Sequence, residues 1–171
     1  LIVQFGLFSL SSVNSWFIIW LENLGLQVTA PQIPSMDGWG FVGVIVVIAV
    51  LPAIFEELFF RGILLRGLRG MPVWAAALVC GGLFSLFHQN PAQTLYQFFC
   101  GVAFALIAIR SGSILPTVLA HFCNNAFVLC AEKFAWQVDM LPILLASAVC
   151  LVASVGYLVV YAVKAGRNEE E

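Results

Sequence analysis

The chain has 171 residues, 62% of them hydrophobic and 9% charged, with a net charge of −2 and a mean hydropathy of +1.02. Soluble domains carry about 25% charged residues, so this composition excludes an ordinary water-soluble globule and makes a bilayer the expected solvent. With no basic stripe and few polar surfaces, the chain also offers nothing to a nucleic acid.

Six apolar segments follow in chain order, at roughly 2–21, 40–65, 73–89, 93–110, 113–131 and 140–164. A spanning helix needs about 20 such residues. The first opens on Leu1, not on a methionine, as a processed or truncated product would; it has no basic stretch or small-residue cleavage site, so it does not read as a signal peptide. Pro31, Pro34, Asp37 and Gly38 mark a loop after it.

The second segment holds Ile54-Phe55-Glu56-Glu57-Leu58-Phe59-Phe60-Arg61 and a kink-forming Pro52. A carboxylate in hydrocarbon costs roughly 2.5–3.5 kcal/mol on insertion scales, so two neighbours there must be paired, protonated or put to use. Glu57 and Arg61 are four apart with the acid first, the favoured order for a helical ion pair. Glu56 points about 100° away and needs a partner from another segment.

Gly67, Gly70 and Pro72 close the second segment, and Asn90-Pro91 closes the third, which carries His88 in Phe84-Ser85-Leu86-Phe87-His88. The fourth ends at Ser111-Gly112-Ser113. Ser113 is a candidate cap for the fifth, with Pro116 in its first turn. The fifth carries His121-Phe122-Cys123-Asn124-Asn125, with His121 and Asn125 on one face. Lipid-facing placement would leave these groups unsatisfied, so they belong to the bundle interior. Asp139 and Pro142 open the sixth segment, and Glu169, Glu170 and Glu171 end the chain. The predicted fold is all-α: a multi-pass transmembrane helical bundle of about six helices, forming one membrane-embedded domain over residues 1–171.

With Leu1 cytoplasmic, alternate crossings put Arg61, Arg66, Arg69, Arg110, Lys164 and Arg167 inside and Lys133 outside. This positive-inside bias predicts that both termini are cytoplasmic. Trp16, Trp20, Trp39, Trp74 and Trp136 lie near predicted helix ends, where the interface favours them. Cys80, Cys100, Cys123, Cys130 and Cys150 form no CxxC pair and read as small buried hydrophobes.

A ruler of 1.5 Å per residue puts Glu56 near mid-membrane, His121 about 12 Å from the cytoplasmic start of its helix, and His88 closer to the outer face, a tension in depth. If they converge, two chemistries are open. Glu56 and His88 can deprotonate a water that attacks a carbonyl, with His121 and Asn125 donating to the oxyanion. Alternatively Glu56, His88 and His121 can ligate a divalent metal such as zinc, although the chain lacks HExxH.

Glu56-Glu57-xxx-Arg61, Phe84-xxx-His88 and His121-xxx-Asn125 resemble, in order, EExxxR, FxxxH and HxxxN/D. On these motifs the chain, over about residues 40–131, resembles the CPBP family of CAAX proteases and bacteriocin-processing enzymes, also called Abi proteins or type II CAAX prenyl endopeptidases. The resemblance implies an intramembrane endopeptidase, in a bacterial cell membrane, with its site in a cavity open to one leaflet. It assigns Glu56 and His88 to water activation, His121 and Asn125 to the oxyanion, and Glu57 and Arg61 to support. It implies a glutamate-dependent, metal-free design, although the family is often called metalloprotease. Implied substrates are a prenylated CAAX tail, a bacteriocin or pheromone precursor, or another membrane protein. Members often carry eight helices, so six imply a shorter member or a missing N-terminal part. Two other readings stand beside it: a non-proteolytic member acting in bacteriocin self-immunity or as a scaffold, and a transporter using the carboxylates as a proton relay. An inverted repeat would favour the transporter, and the sequence shows none.

Overall fold

The computed structural model of the protein describes residues 2–7, 9–29, 36–134 and 140–167, without the side chains of residues 3, 4, 36–39, 140 and 158–167. Pro31, Pro34, Trp136, Asp139 and the acidic tail therefore lie outside the described residues, as do the side chains of Asp37, Trp39, Lys164 and Arg167. Among the described residues all regular structure is helical. Helices α1 (Ile2–Leu7), α2 (Leu10–Asn23), α3 (Gly40–Gly67), α4 (Val73–Phe87), α5 (Thr94–Ser111), α6 (Leu115–Lys133) and α7 (Met140–Arg167) form the bundle.

The predicted first segment is two helices. Ser9 turns between them, its hydroxyl donating to the Gly6 carbonyl at 2.7 Å. α1 then packs on α7, where a Cβ on Gly6 would lie 2.7 Å from the Leu151 backbone nitrogen. Buried Asn14 of α2 donates to the Ala92 carbonyl and accepts from the Tyr96 N–H. It thereby holds the 3₁₀ turn Pro91–Gln93 that leads into α5.

α3 is not a uniform rod. Helical backbone begins at Met36, but Gly40 breaks it at φ 67° and ψ 153°, a region open to glycine. Beyond this break two π-helical stretches, Val46–Val50 and Leu58–Leu64, flank the α-helical Leu51–Glu57. Pro52 is the local cause of the first: it has no N–H for the Ile48 carbonyl one turn earlier, while the Leu51 N–H reaches back five residues to Val46. Such bulges re-aim the side chains that follow, here the two glutamates.

α4 and α5 cross at glycines. A Cβ on Gly101 would stand 2.7 Å from Gly81 Cα, and one on Gly81 would meet the Val102 nitrogen at 2.8 Å. Small residues let backbones approach this closely. Phe60, Phe84, Cys80 and Ala105 fill the core between α3, α4 and α5. Val44, Ala49 and Leu129 join α3 to α6. Gly112 ends α5 in the left-handed conformation at φ 64°. Ser113 Oγ then accepts the Leu115 N–H at 3.2 Å, but the cap position of α6 is Ile114, one residue later than predicted, and Pro116 sits in the first turn.

The outside of the bundle is as apolar as the inside. Gly40–Gly67 and Pro91–Ser111 are long and apolar enough to cross a membrane, yet only 22% and 28% of their most apolar stretches are buried in the protein. Val42, Leu86, Leu115 and Val152 are each at least 70% exposed. Such surface is stable against acyl chains, not water. Of the other segments, Val73–Phe87 and Leu141–Tyr157 are shorter apolar helices.

Candidate active site

α3, α4 and α6 bring Glu56, Glu57, Arg61, His88 and His121 to one place. Glu57 and Arg61 face inward one turn apart on α3. Arg61 Nη1 donates to Glu57 Oε1 at 2.6 Å, with both side chains fully buried. Arg61 Nη2 donates to the Gly101 carbonyl at 3.1 Å. The guanidinium lies 4.5 Å from the Phe84 ring centroid and 5.3 Å from that of Phe104, so the cation is enclosed by aromatic faces.

The same Glu57 oxygen receives a second hydrogen bond, from His121 Nδ1 at 3.0 Å. A carboxylate only accepts, so His121 carries a proton on Nδ1 and turns Nε2 toward Glu56. His88 caps the C-terminal end of α4. Its Nδ1 lies 2.9 Å from the Phe84 carbonyl, which also only accepts, so the His88 Nδ1 is protonated too. Both Nε2 atoms then stand 3.9 Å from Glu56 Oε2. That oxygen is buried and has no hydrogen-bond partner among the described residues, while the Glu56 side chain as a whole keeps 19% of its surface exposed. Phe84 is the common wall, with its ring centroid 4.8 Å from that of His88 and 5.9 Å from that of His121.

The depth mismatch expected between His88 and Glu56 does not arise. α4 has 15 residues, about 22 Å of rise, against roughly 30 Å of hydrocarbon. This shorter helix brings His88 at its C-terminal end to 3.9 Å from Glu56 Oε2.

Asn125 is held through Pro52. Its Nδ2 donates at 3.1 Å to the Ile48 carbonyl, the acceptor that Pro52 deprives of its donor four residues on. Because a carbonyl cannot donate, this contact fixes which end of the amide is nitrogen. Asn125 Oδ1 accepts from Asn124 Nδ2 at 3.2 Å, and Asn124 Oδ1 accepts from the Tyr96 hydroxyl at 2.8 Å. The second N–H of Asn125 is free of these bonds. The sequence reading did not assign Tyr96, Asn124 or the Gly101 carbonyl to the site. Asn124 was visible as a polar neighbour of Asn125, but Tyr96 and Gly101 had no local signal.

Glu56, His88 and His121 were also the candidate metal ligands. Among the described residues no three His, Cys, Asp or Glu side chains are grouped as a metal site. Each imidazole commits Nδ1 to an acceptor and leaves Nε2 toward Glu56 at 3.9 Å, an orientation that a bridging water and a small divalent cation would both use.

No curated protein and no solved structure matches the chain. A family model, described as Type II CAAX prenyl endopeptidase Rce1-like, matches residues 38–127. The matched stretch starts at the head of α3, ends within α6, and includes Glu56, Glu57, Arg61, His88, His121 and Asn125. Matched over just more than half its length, the chain belongs to the Rce1-like family of type II CAAX prenyl endopeptidases.

Proposed function

We propose that the chain hydrolyses a peptide bond inside the bilayer with a water held by Glu56 and His88. The observation that carries this reading is the paired 3.9 Å spacing from Glu56 Oε2 to the two Nε2 atoms. That is too long for a direct hydrogen bond and suits one bridging water. With its Nδ1 proton given to Phe84, neutral His88 presents a lone pair at Nε2. Glu56 and His88 then each accept one water proton, leaving the water oxygen's lone pair for the substrate carbonyl carbon.

On attack, Glu56 takes the water proton and the carbonyl oxygen becomes negative. The free N–H of Asn125 is the first donor to that oxygen. His121 donates from Nε2 only when its ring holds a second proton, with its Nδ1–H kept on Glu57 at 3.0 Å. Glu56 then returns its proton to the leaving amine, and the C–N bond breaks. The substrate in this reading is a membrane-borne peptide, of which a prenylated CAAX tail is the form the family description names.

Cleavage of a prenylated CAAX peptide by purified protein tests the reading. Glu56→Gln keeps the shape and removes the base. Its kcat is expected to fall by about 10²–10⁴ while the thermal unfolding midpoint in detergent holds. Turnover is expected to persist with a chelator present. A Glu56→Gln enzyme that cuts at the native rate overturns the assignment. Chelator-sensitive turnover replaces it with the metal reading.

A further inference from the structure

A cavity of about 560 Å³ lies between the last turns of α3 and α5 and the link into α6, and its lining includes none of Glu56, His88 or His121. Its size falls in the range of small-ligand pockets, roughly 300–1,000 Å³. Gly62 and Gly112 leave part of it unfilled, because neither brings a side chain to the space.

The lining divides by chemistry. Arg66 and Arg69 are exposed, and buried Arg61 closes the inner wall. Leu58, Ile63 and Ile109 line the same cavity and are 47%, 64% and 39% exposed on a surface otherwise suited to acyl chains. Among the described residues no acidic side chain lines the cavity, and neither Arg66 nor Arg69 pairs with a carboxylate. Arg61 differs, since Glu57 already balances it.

Two guanidinium groups without a carboxylate among the described residues, beside an apolar rim, fit a ligand with one anionic end and a hydrocarbon body. Arginine recognises a phosphate through paired N–H donors, and basic pockets between membrane helices are sites for anionic headgroups. We propose that this cavity binds the phosphate headgroup of an anionic phospholipid, with its acyl chains laid along Leu58, Ile63 and Ile109. The proposal does not depend on proteolysis, because Arg66, Arg69, Leu58, Ile63 and Ile109 take no part in the Glu56–His88–His121 cluster and only Arg61 borders both.

The test is binding to the full chain in detergent, read by native mass spectrometry with phosphatidylglycerol, phosphatidylcholine and inorganic phosphate as separate probes. Phosphatidylglycerol is expected to bind tightest. Arg66→Gln with Arg69→Gln is expected to weaken it about thirtyfold, at roughly 1 kcal/mol per arginine. Ile109→Trp, which fills the cavity without changing charge, is expected to weaken phosphatidylglycerol while leaving the thermal midpoint unchanged. Lys133→Gln, at the far end of α6, is expected to leave binding as it was. Equal phosphatidylglycerol binding by the double variant and the native chain overturns the site. Inorganic phosphate or phosphatidylcholine binding as tightly as phosphatidylglycerol overturns the anionic-lipid assignment.

Discussion

A single oxygen, Glu57 Oε1, receives both Arg61 at 2.6 Å and His121 at 3.0 Å. This makes Glu57 the residue on which the orientation of His121 depends, and Arg61 the residue that lets Glu57 stay charged with no exposed surface. Removing one partner of a buried pair strands the other charge, at about 3–5 kcal/mol. Arg61→Leu is therefore expected to lower unfolding free energy by that amount in chemical denaturation in detergent, and Glu57→Gln added to it is expected to recover much of the loss. An Arg61→Leu chain as stable as the native one would mean Glu57 is not ionised. The helical half of this arrangement is legible in the sequence, because Glu57 and Arg61 are one turn apart. The need of Glu56 for a distant partner is legible too. Tyr96 is not: it reaches Asn124 across 28 positions of sequence, and nothing about an aromatic residue at the start of a hydrophobic helix marks it as part of a polar chain.

At the level of elements, Pro52 ties helix geometry to the candidate oxyanion donor. The kink was readable from the proline. That the freed Ile48 carbonyl would be taken up by Asn125, 77 residues later, was not, because it depends on how α3 and α6 pack. Pro52→Ala supplies an N–H that can satisfy Ile48 within the helix and so competes with Asn125. Its expected effect is a fall of about tenfold in kcat, the worth of roughly one hydrogen bond to a developing charge, with the thermal midpoint unchanged or raised. Unchanged kcat in that variant would separate Asn125 from the α3 bulge. Segment limits were the easiest features to read, since glycine and proline punctuate α3 through α6. The break at Ser9 escaped notice because serine interrupts hydrophobicity too weakly in a stretch this apolar.

For the molecule as a whole, apolar composition translated directly into an apolar outer surface, and the basic residues Arg66 and Arg69 gather with Gly112 and Ser113 around one cavity. The short reach of α4, about 22 Å, has a consequence for the lipid around it. In a bilayer of about 30 Å, exposed Leu86 and Phe87 at its end are expected to make neighbouring acyl chains shorten or tilt, bringing headgroup water nearer to His88. Turnover should therefore track membrane thickness. In nanodiscs of 14-carbon lipids, about the thin end of the practical range, cleavage is expected to exceed that in 20-carbon lipids at equal headgroup and fluidity, at a mismatch penalty of fractions of a kcal/mol per Å. Rates independent of chain length would show that the surrounding bilayer does not deform to meet α4. A cell that remodels its fatty acids with temperature would, on this reasoning, also be adjusting the hydration of this site.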